Sequence, residues 1–216
     1  VTCASRRLQS QVRKLNRDAI YVPNGVDVEK LRRADGSRIR KSYGFEDRLV
    51  VSLIGLTCSP DLYFVDSLMR VSRTIPKASF LFVGKGSMYK PLRRALRSLR
   101  NRCTWAGWIP QDRIYDFFMA SDIGLYPGGN DVYFRSACPI KLLEYAASGK
   151  PSVSSPVEEI DSLGLRSVVQ VDANAEAFSS GIMRAMSWTS LADPSKVTSW
   201  EKIAIRLENV LKGGWS

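Results

Sequence analysis

The sequence predicts an α/β fold, a Rossmann-like open parallel sheet of about six strands with helices on both faces. Three observations carry that prediction. Short apolar runs bounded by turn residues recur along the chain, and amphipathic stretches separate them, which is the pattern of βα units. The third is composition: 216 residues, 44% hydrophobic and 25% charged, are those of a globular domain. A chain of this length buries roughly 70% of the surface it exposes when unfolded, enough for a core without disulfide staples.

The elements follow in order. Val1 opens a strand-like stretch with no initiating methionine, and residues 5–14 read as a helix belonging to another lobe; the chain is expected to be a piece of a longer protein. Strands are expected at residues 19–22, 49–54, 79–83, 103–105, 123–126, 152–154 and 168–171. Amphipathic helices are expected at residues 60–73, 88–100, 111–120, 140–148, 176–188 and 199–212. After the first strand, Asn24-Gly25 is a strong turn dipeptide because both residues tolerate positive φ. No stretch approaches the ~18 apolar residues of a membrane span, and no signal-peptide pattern opens the chain.

Residue chemistry narrows the function. Cys3, Cys58, Cys103 and Cys138 are widely spaced, with no CxxC pair and no histidine anywhere to complete a mixed metal site. They are read as reduced thiols of a cytoplasmic protein, and no metal is expected. The absence of histidine also excludes Ser-His-Asp and Cys-His catalysis within these 216 residues. Net charge is +11, with cations bunched at 6–17, 38–41 and 90–102, which implies an anionic partner. A phosphate-bearing ligand, an anionic membrane surface and nucleic acid all satisfy that demand. So does a solvated basic surface with no partner.

Two segments carry candidate sites. Gly84-Lys85-Gly86 lies between an expected strand and helix, where backbone amides can approach a phosphate, although a plain tight turn explains it equally. The second runs from Gly128 to Pro151. Pro139 suits a first helical position, Gly149 a position just past the end, and Pro151 forbids continuation. Lys141 and Glu144 share one face of this otherwise apolar helix, either as a local ion pair or as ligand groups. Its amino-terminal turn, led by Cys138, has no good side-chain cap and presents free N–H groups to an external anion such as a diphosphate. Upstream, Asp122 reads as a turn residue before a strand, and 127–130 as a flexible loop at a strand's carboxyl end, where ligands bind in open α/β sheets.

Taken together, these segments resemble the carboxy-terminal, donor-binding domain of GT-B glycosyltransferases of the family-four group. Tyr21-Val22-Pro23-Asn24-Gly25-Val26-Asp27 looks like the interdomain segment, and Leu81-Phe82-Val83-Gly84-Lys85-Gly86 like the second strand and its glycine turn. Trp105-Ala106-Gly107-Trp108-Ile109-Pro110 and the Ala120 to Pro127 stretch look like the next two family segments. Pro139-Ile140-Lys141-Leu142-Leu143-Glu144-Tyr145 looks like the PxKLxEY variant of the donor-site helix.

The resemblance implies residue roles. Glu144 would hold the ribose; Gly55, Arg135, Pro139, Ile140 and Lys141 would surround the diphosphate. Gly84, Gly86, Trp108 and Ile109 would meet the base, while Ser136, Ala137 and Cys138 would face the donor sugar. Residues 1–20 would be a remnant of the amino-terminal lobe, 21–196 the nucleotide-sugar domain, and 197–216 a helix packing back toward that lobe. Catalytic groups would lie in the missing lobe, the isolated chain would be inactive, and a retaining mechanism is implied. The implied partners are a nucleotide-sugar donor, the amino-terminal lobe and an anionic membrane surface in cell-surface polysaccharide synthesis. Two departures stand out: Ser136 occupies the position of a second glutamate, and 55–60 replace the family's cationic loop. A non-catalytic module of the same fold is the alternative. Nucleic-acid binding comes last, because no RRM, KH or helix-turn-helix signature accompanies the charge.

Overall fold

The computed structural model describes residues 1–55, 63–188 and 194–212. Six strands form one parallel sheet: β3 (Leu49–Ile54), β4 (Ala78–Val83), β5 (Cys103–Gly107), β6 (Ile123–Tyr126), β7 (Ser152–Ser154) and β8 (Val168–Gln170). Their order is β5-β4-β3-β6-β7-β8, every pair parallel. Counted from β3 this is the doubly wound order 3-2-1-4-5-6, whose direction reverses between β3 and β6. The expected fold class is the one observed, and the strand bounds differ from expectation by at most two residues at any end.

Alternation along the strands divides the core. Val51, Leu53, Phe80 and Phe82 point to one face, against Phe64, Leu68 and Val71 of α4 (Tyr63–Thr74) and Phe178 and Ile182 of α10 (Ala175–Ala185). Val50, Ile54, Leu81 and Val83 point to the other, against Phe118 of α6 (Ile114–Ala120) and Tyr145 of α8 (Ile140–Ala147). Fully burying each such side chain is worth about 1.5–3 kcal/mol. With both faces covered, the strands read as nearly continuous apolar runs.

Four short helices escaped the sequence reading: α2 (Val28–Arg33), α3 (Gly36–Tyr43), α7 (Val132–Arg135) and α9 (Glu158–Leu163). Three of them start at an aspartate or glutamate-rich signal that local chemistry explains: Asp27, Asp35 and Asp131 each accept a backbone N–H as caps of α2, α3 and α7. The helix expected at 88–100 is instead α5 (Tyr89–Ala95) followed by a 3₁₀ segment, Arg97–Arg102. The start of the helix expected at 60–73 lies outside the described residues.

A second, two-stranded parallel sheet pairs β1 (Thr2–Cys3) with β2 (Ile20–Tyr21), joined by α1 (Arg6–Val12). It is fastened to the main body by buried polar contacts. Glu159 of α9, only 1% exposed, accepts from the Tyr21 hydroxyl and from the Arg6 backbone N–H. The last helix, α11 (Trp200–Leu211), starts beside Val26, which bridges Ser199, and lays Arg206 over the Tyr21 ring.

Candidate functional site

At the carboxyl ends of β3, β4 and β5 the backbone turns away at glycines. Gly55 has φ +96° and Gly84 φ +120°, values that side-chain-bearing residues rarely adopt. Their N–H groups remain tied, to Val83 O at 2.8 Å and Gly107 O at 2.7 Å, so the floor is bare of side chains without being loose. Above it lies a cleft of about 350 Å³ lined by Gly55, Gly84, Trp108, Ile109, Lys141 and Glu144, with apolar walls from Ile54 and Val83. The cleft sits beside the β3/β6 switch point, where the open α/β sheet divides its helices between two faces and leaves a crevice.

α8 supplies the charged wall, and its position is set by Tyr145. The Tyr145 ring packs where a side chain at Gly124 of β6 would otherwise stand: a Cβ there would come within 2.4 Å of the ring. The Tyr145 hydroxyl donates to Ser52 O at 3.0 Å and contacts Ser52 Oγ at 2.9 Å, deep in β3. One residue earlier on the helix, Glu144 points into the cleft. Pro139 precedes α8 with no side-chain cap; its carbonyl accepts from the Leu142 N–H at 3.1 Å, which leaves the Ile140 and Lys141 N–H groups for another acceptor.

Glu144 is 5% exposed. Its Oε2 lies 2.7 Å from Lys141 Nζ, and the Tyr115 hydroxyl lies near enough to favour its charged form. Burial pushes the Glu144 carboxyl above the ordinary carboxylate range; Lys141 and Tyr115 act in the opposite direction and do not cancel it. Burial, with the Glu144 charge added, pushes Tyr115 up to about 12. Lys141 in turn passes over the Phe118 ring, 5.4 Å from its centroid, and its stem lies next to Gly55. A cation one third exposed, a buried carboxylate and two free helix amides thus share one concave surface. That set can take a phosphate at one end and hydroxyl donors at the other.

Six of the thirteen residues expected in the site line the cleft: Gly55, Gly84, Trp108, Ile109, Lys141 and Glu144. Gly86 lies exposed beyond the turn, and Pro139 and Ile140 lead α8 outside the lining. Arg135 is on α7, with its Nε 3.8 Å from Glu158, which also pairs with Arg7. Ser136, Ala137 and Cys138 form the approach to α8. Ser136 is buried, and its Oγ has no hydrogen-bond partner. The carbonyls of this approach are held by the first part of the chain: Ser5 Oγ donates to Ser136 O at 2.5 Å and Asn24 Nδ2 to Cys138 O at 2.6 Å. Burial pushes the Cys138 thiol up to about 11. Residues 56–60 of the altered loop, Cys58 among them, lie outside the described residues.

Other expectations find their places. Asp122 accepts from Arg40 and from the Val50 N–H, the role of a turn residue before β6. The loop expected to be flexible is fastened at Gly128, whose N–H donates to Ser155 Oγ at 3.1 Å and whose carbonyl accepts from Tyr63 at 2.9 Å. Sequence reasoning missed Gln111, Ile114 and Tyr115. The helix around Ile114 was expected, yet nothing in its periodicity marks which side meets the cleft. Among the described residues, no group of three or more metal-ligating side chains is found, and no helix is long and apolar enough to cross a membrane.

The family model described as "Glycosyl transferases group 1" matches residues 61–187. A putative teichuronic acid biosynthesis glycosyltransferase, TuaH of Bacillus subtilis (strain 168), is 27% identical over 160 residues, 72% of this chain and 40% of its own length. Alr3699/HepE of Anabaena, solved in complex with UDP, superposes with a TM-score of 0.75 at 17% identity over 99% of this chain and 63% of that one. WaaG, a glycosyltransferase involved in lipopolysaccharide biosynthesis, gives 0.72 at 16% identity over 99% and 62%. The chain thus spans less than two thirds of each of these relatives.

Proposed function

The chain belongs to the group 1 glycosyl transferases, and on that premise we propose that it is the donor-binding half of an enzyme that moves a sugar from a nucleoside diphosphate sugar. The observation that carries the reading is the Lys141–Glu144 pair on α8, set into a cleft at the carboxyl ends of β3 and β4. Glu144 accepts hydrogen bonds from the ribose hydroxyls. Lys141 and the uncapped amides at the start of α8 meet the diphosphate, and Trp108 and Ile109 border the base. Ser136, Ala137 and Cys138 face the donor sugar.

As the glycosidic bond to the diphosphate breaks, negative charge grows on the leaving oxygen. Lys141 and the α8 dipole stabilise that charge without needing to reorganise, which is the contribution this half makes to the transition state. Donor binding needs no metal ion in this reading, because Lys141 and these amides would supply the positive charge that a divalent ion otherwise brings to a diphosphate. The acceptor and the remaining catalytic groups come from an amino-terminal lobe across the cleft, with a retaining outcome in keeping with the family-four resemblance. The 216-residue chain alone transfers little or no sugar. The acceptor is a glycan or lipid-linked saccharide of the cell envelope, as the names of TuaH and WaaG suggest. An anionic bilayer surface on the cytoplasmic side is its proposed setting, facing exposed cations of α5 such as Arg93 and Arg94.

Calorimetric titration with UDP, GDP, ADP and their sugar conjugates, repeated on Glu144→Ala, tests this. UDP comes first because HepE binds it. Saturable binding of one series, weakened by the substitution, supports the reading; binding of none, or binding indifferent to Glu144, overturns it. A second reading, a nucleotide-sugar module without catalysis, is favoured by Ser136 standing buried and unpartnered where a glutamate would face the sugar. Sugar transfer by the full-length protein would exclude it.

A further inference from the structure

Away from the cleft, three cations of the first segment, Arg6, Arg13 and Arg17, face Lys202 and Arg206 of α11 across a groove of about 690 Å³. Asp18 is the sole acidic residue among those lining it. Arg7, Arg40, Arg135 and Lys141 each pair with a carboxylate, yet none of these five cations forms an ion pair with any described residue. The nearest buried acid, Glu159, is already engaged behind the groove by the Tyr21 hydroxyl and the Arg6 backbone N–H.

The groove orders its charges. Arg6 and Arg206 come from different helices onto the same Tyr21 ring, 4.5 and 5.8 Å from its centroid. Tyr21 is itself buried and anchored, so the ring fixes two guanidiniums that would otherwise sample many rotamers. Arg13 Nε donates to Ala19 O at 3.2 Å, which directs its terminal nitrogens outward. Converging like charges in a concave surface focus a positive field, and covering them with a neutral surface would leave them desolvated and unpaired. An apolar strip runs beside them, formed by Ile205, 60% exposed, and Val210.

We propose that this groove binds a ligand bearing two or more phosphate groups, its anionic end on Arg6, Arg13, Arg17, Lys202 and Arg206 and its organic portion along Ile205 and Val210. Guanidiniums bind phosphate oxygens in bidentate fashion, and several from two helices select a multiply charged group over a single carboxylate. The groove shares no lining residue with the Lys141–Glu144 cleft, so this site stands independently of the donor reading.

The test titrates inorganic pyrophosphate by calorimetry and, separately, measures flotation with phosphatidylcholine vesicles with and without cardiolipin, whose headgroup carries two phosphates. The two arms separate a soluble phosphate from a lipid headgroup. Both are run in a Lys141→Ala background, so that the cleft's own diphosphate end does not report. Arg13→Ala with Arg17→Ala, and Arg206→Ala alone, are expected to weaken binding in the responding arm roughly tenfold per guanidinium removed. Arg73→Ala with Lys77→Ala, two exposed cations at and just after the end of α4, serves as the control and is expected to change nothing. Arg17 has no hydrogen bond or ion pair to a described residue, so its loss does not threaten the fold. The proposal is overturned by binding in neither arm, by equal losses from the Arg73/Lys77 control pair, or by binding confined to a single-stranded oligonucleotide.

Discussion

Lys141 Nζ lies 2.7 Å from Glu144 Oε2, one turn along α8, with the lysine a third exposed and the carboxylate almost fully buried. The sequence leaves open whether these residues form a local ion pair or a ligand site. The structure shows the ion pair and sets it in the wall of the cleft. A bound ribose and a bound diphosphate would therefore compete with the pair for the same lone pairs and protons, which separates the effects of removing each partner.

Lys141→Ala is expected to cost more affinity for a nucleoside diphosphate than for the nucleoside, while Glu144→Ala weakens both. Loss of one charged hydrogen bond corresponds to about 1.5–3 kcal/mol, or roughly 10–150-fold. Calorimetry with uridine and UDP on the two variants reads the contrast. Equal losses for uridine and UDP in Lys141→Ala would contradict the assignment.

Stability should carry the sign of the Glu144 shift. Its carboxyl is raised in the folded chain by burial, so the fold holds that proton more tightly than the unfolded chain does. The resulting contribution is fully present below the ordinary carboxyl range and is lost as pH rises through the raised folded value. Glu144→Gln lacks this titration. The stability of Glu144→Gln relative to the native chain is therefore expected to rise with pH across that window, as urea melts at several pH values would read. A difference that is flat in pH would contradict the shift.

Tyr21→Phe removes the hydroxyl that satisfies Glu159 and leaves a buried carboxylate oxygen without that donor. A destabilisation of about 1–3 kcal/mol follows. Thermal melts measure it, and a change within error would show that Glu159 finds another donor.

Gly124→Ala places a Cβ 2.4 Å from the Tyr145 ring, which the ring cannot accept without shifting α8. Overpacking of this kind costs about 1–3 kcal/mol. Since α8 carries Lys141 and Glu144, nucleotide affinity is expected to fall along with the melting temperature. Affinity unchanged beside a lowered melting temperature would mean that the cleft does not depend on this packing.

Much of the fold was legible because the sheet is buried on both sides. Apolar runs such as 78–83 have no amphipathic alternative, and Pro139 and Gly149 bracket α8 closely. The short helices were hidden for the opposite reason. α2 and α3 are largely polar, and their start depends on single aspartates that also suit turns. In the site, Lys141 and Glu144 were visible as charges breaking an apolar helix. Tyr115 was not, because only the packing of α6 against α8 brings its hydroxyl to Glu144. Spacing along the chain does not encode that contact.

Ser5, the cap of α1 within the β1–α1–β2 unit, and Asn24, just after it, each hold a carbonyl of the approach to α8. The unit is therefore tied to the segment that leads into α8, the helix that carries Lys141 and Glu144. A displacement of β1 and β2 would reach Ser136 and Cys138 through these two short hydrogen bonds, while the main sheet is held by its own continuous ladder. Motion at the chain's first segment would reach the cleft as a displacement of the residues ahead of Lys141, with the body of the sheet acting as the fixed frame.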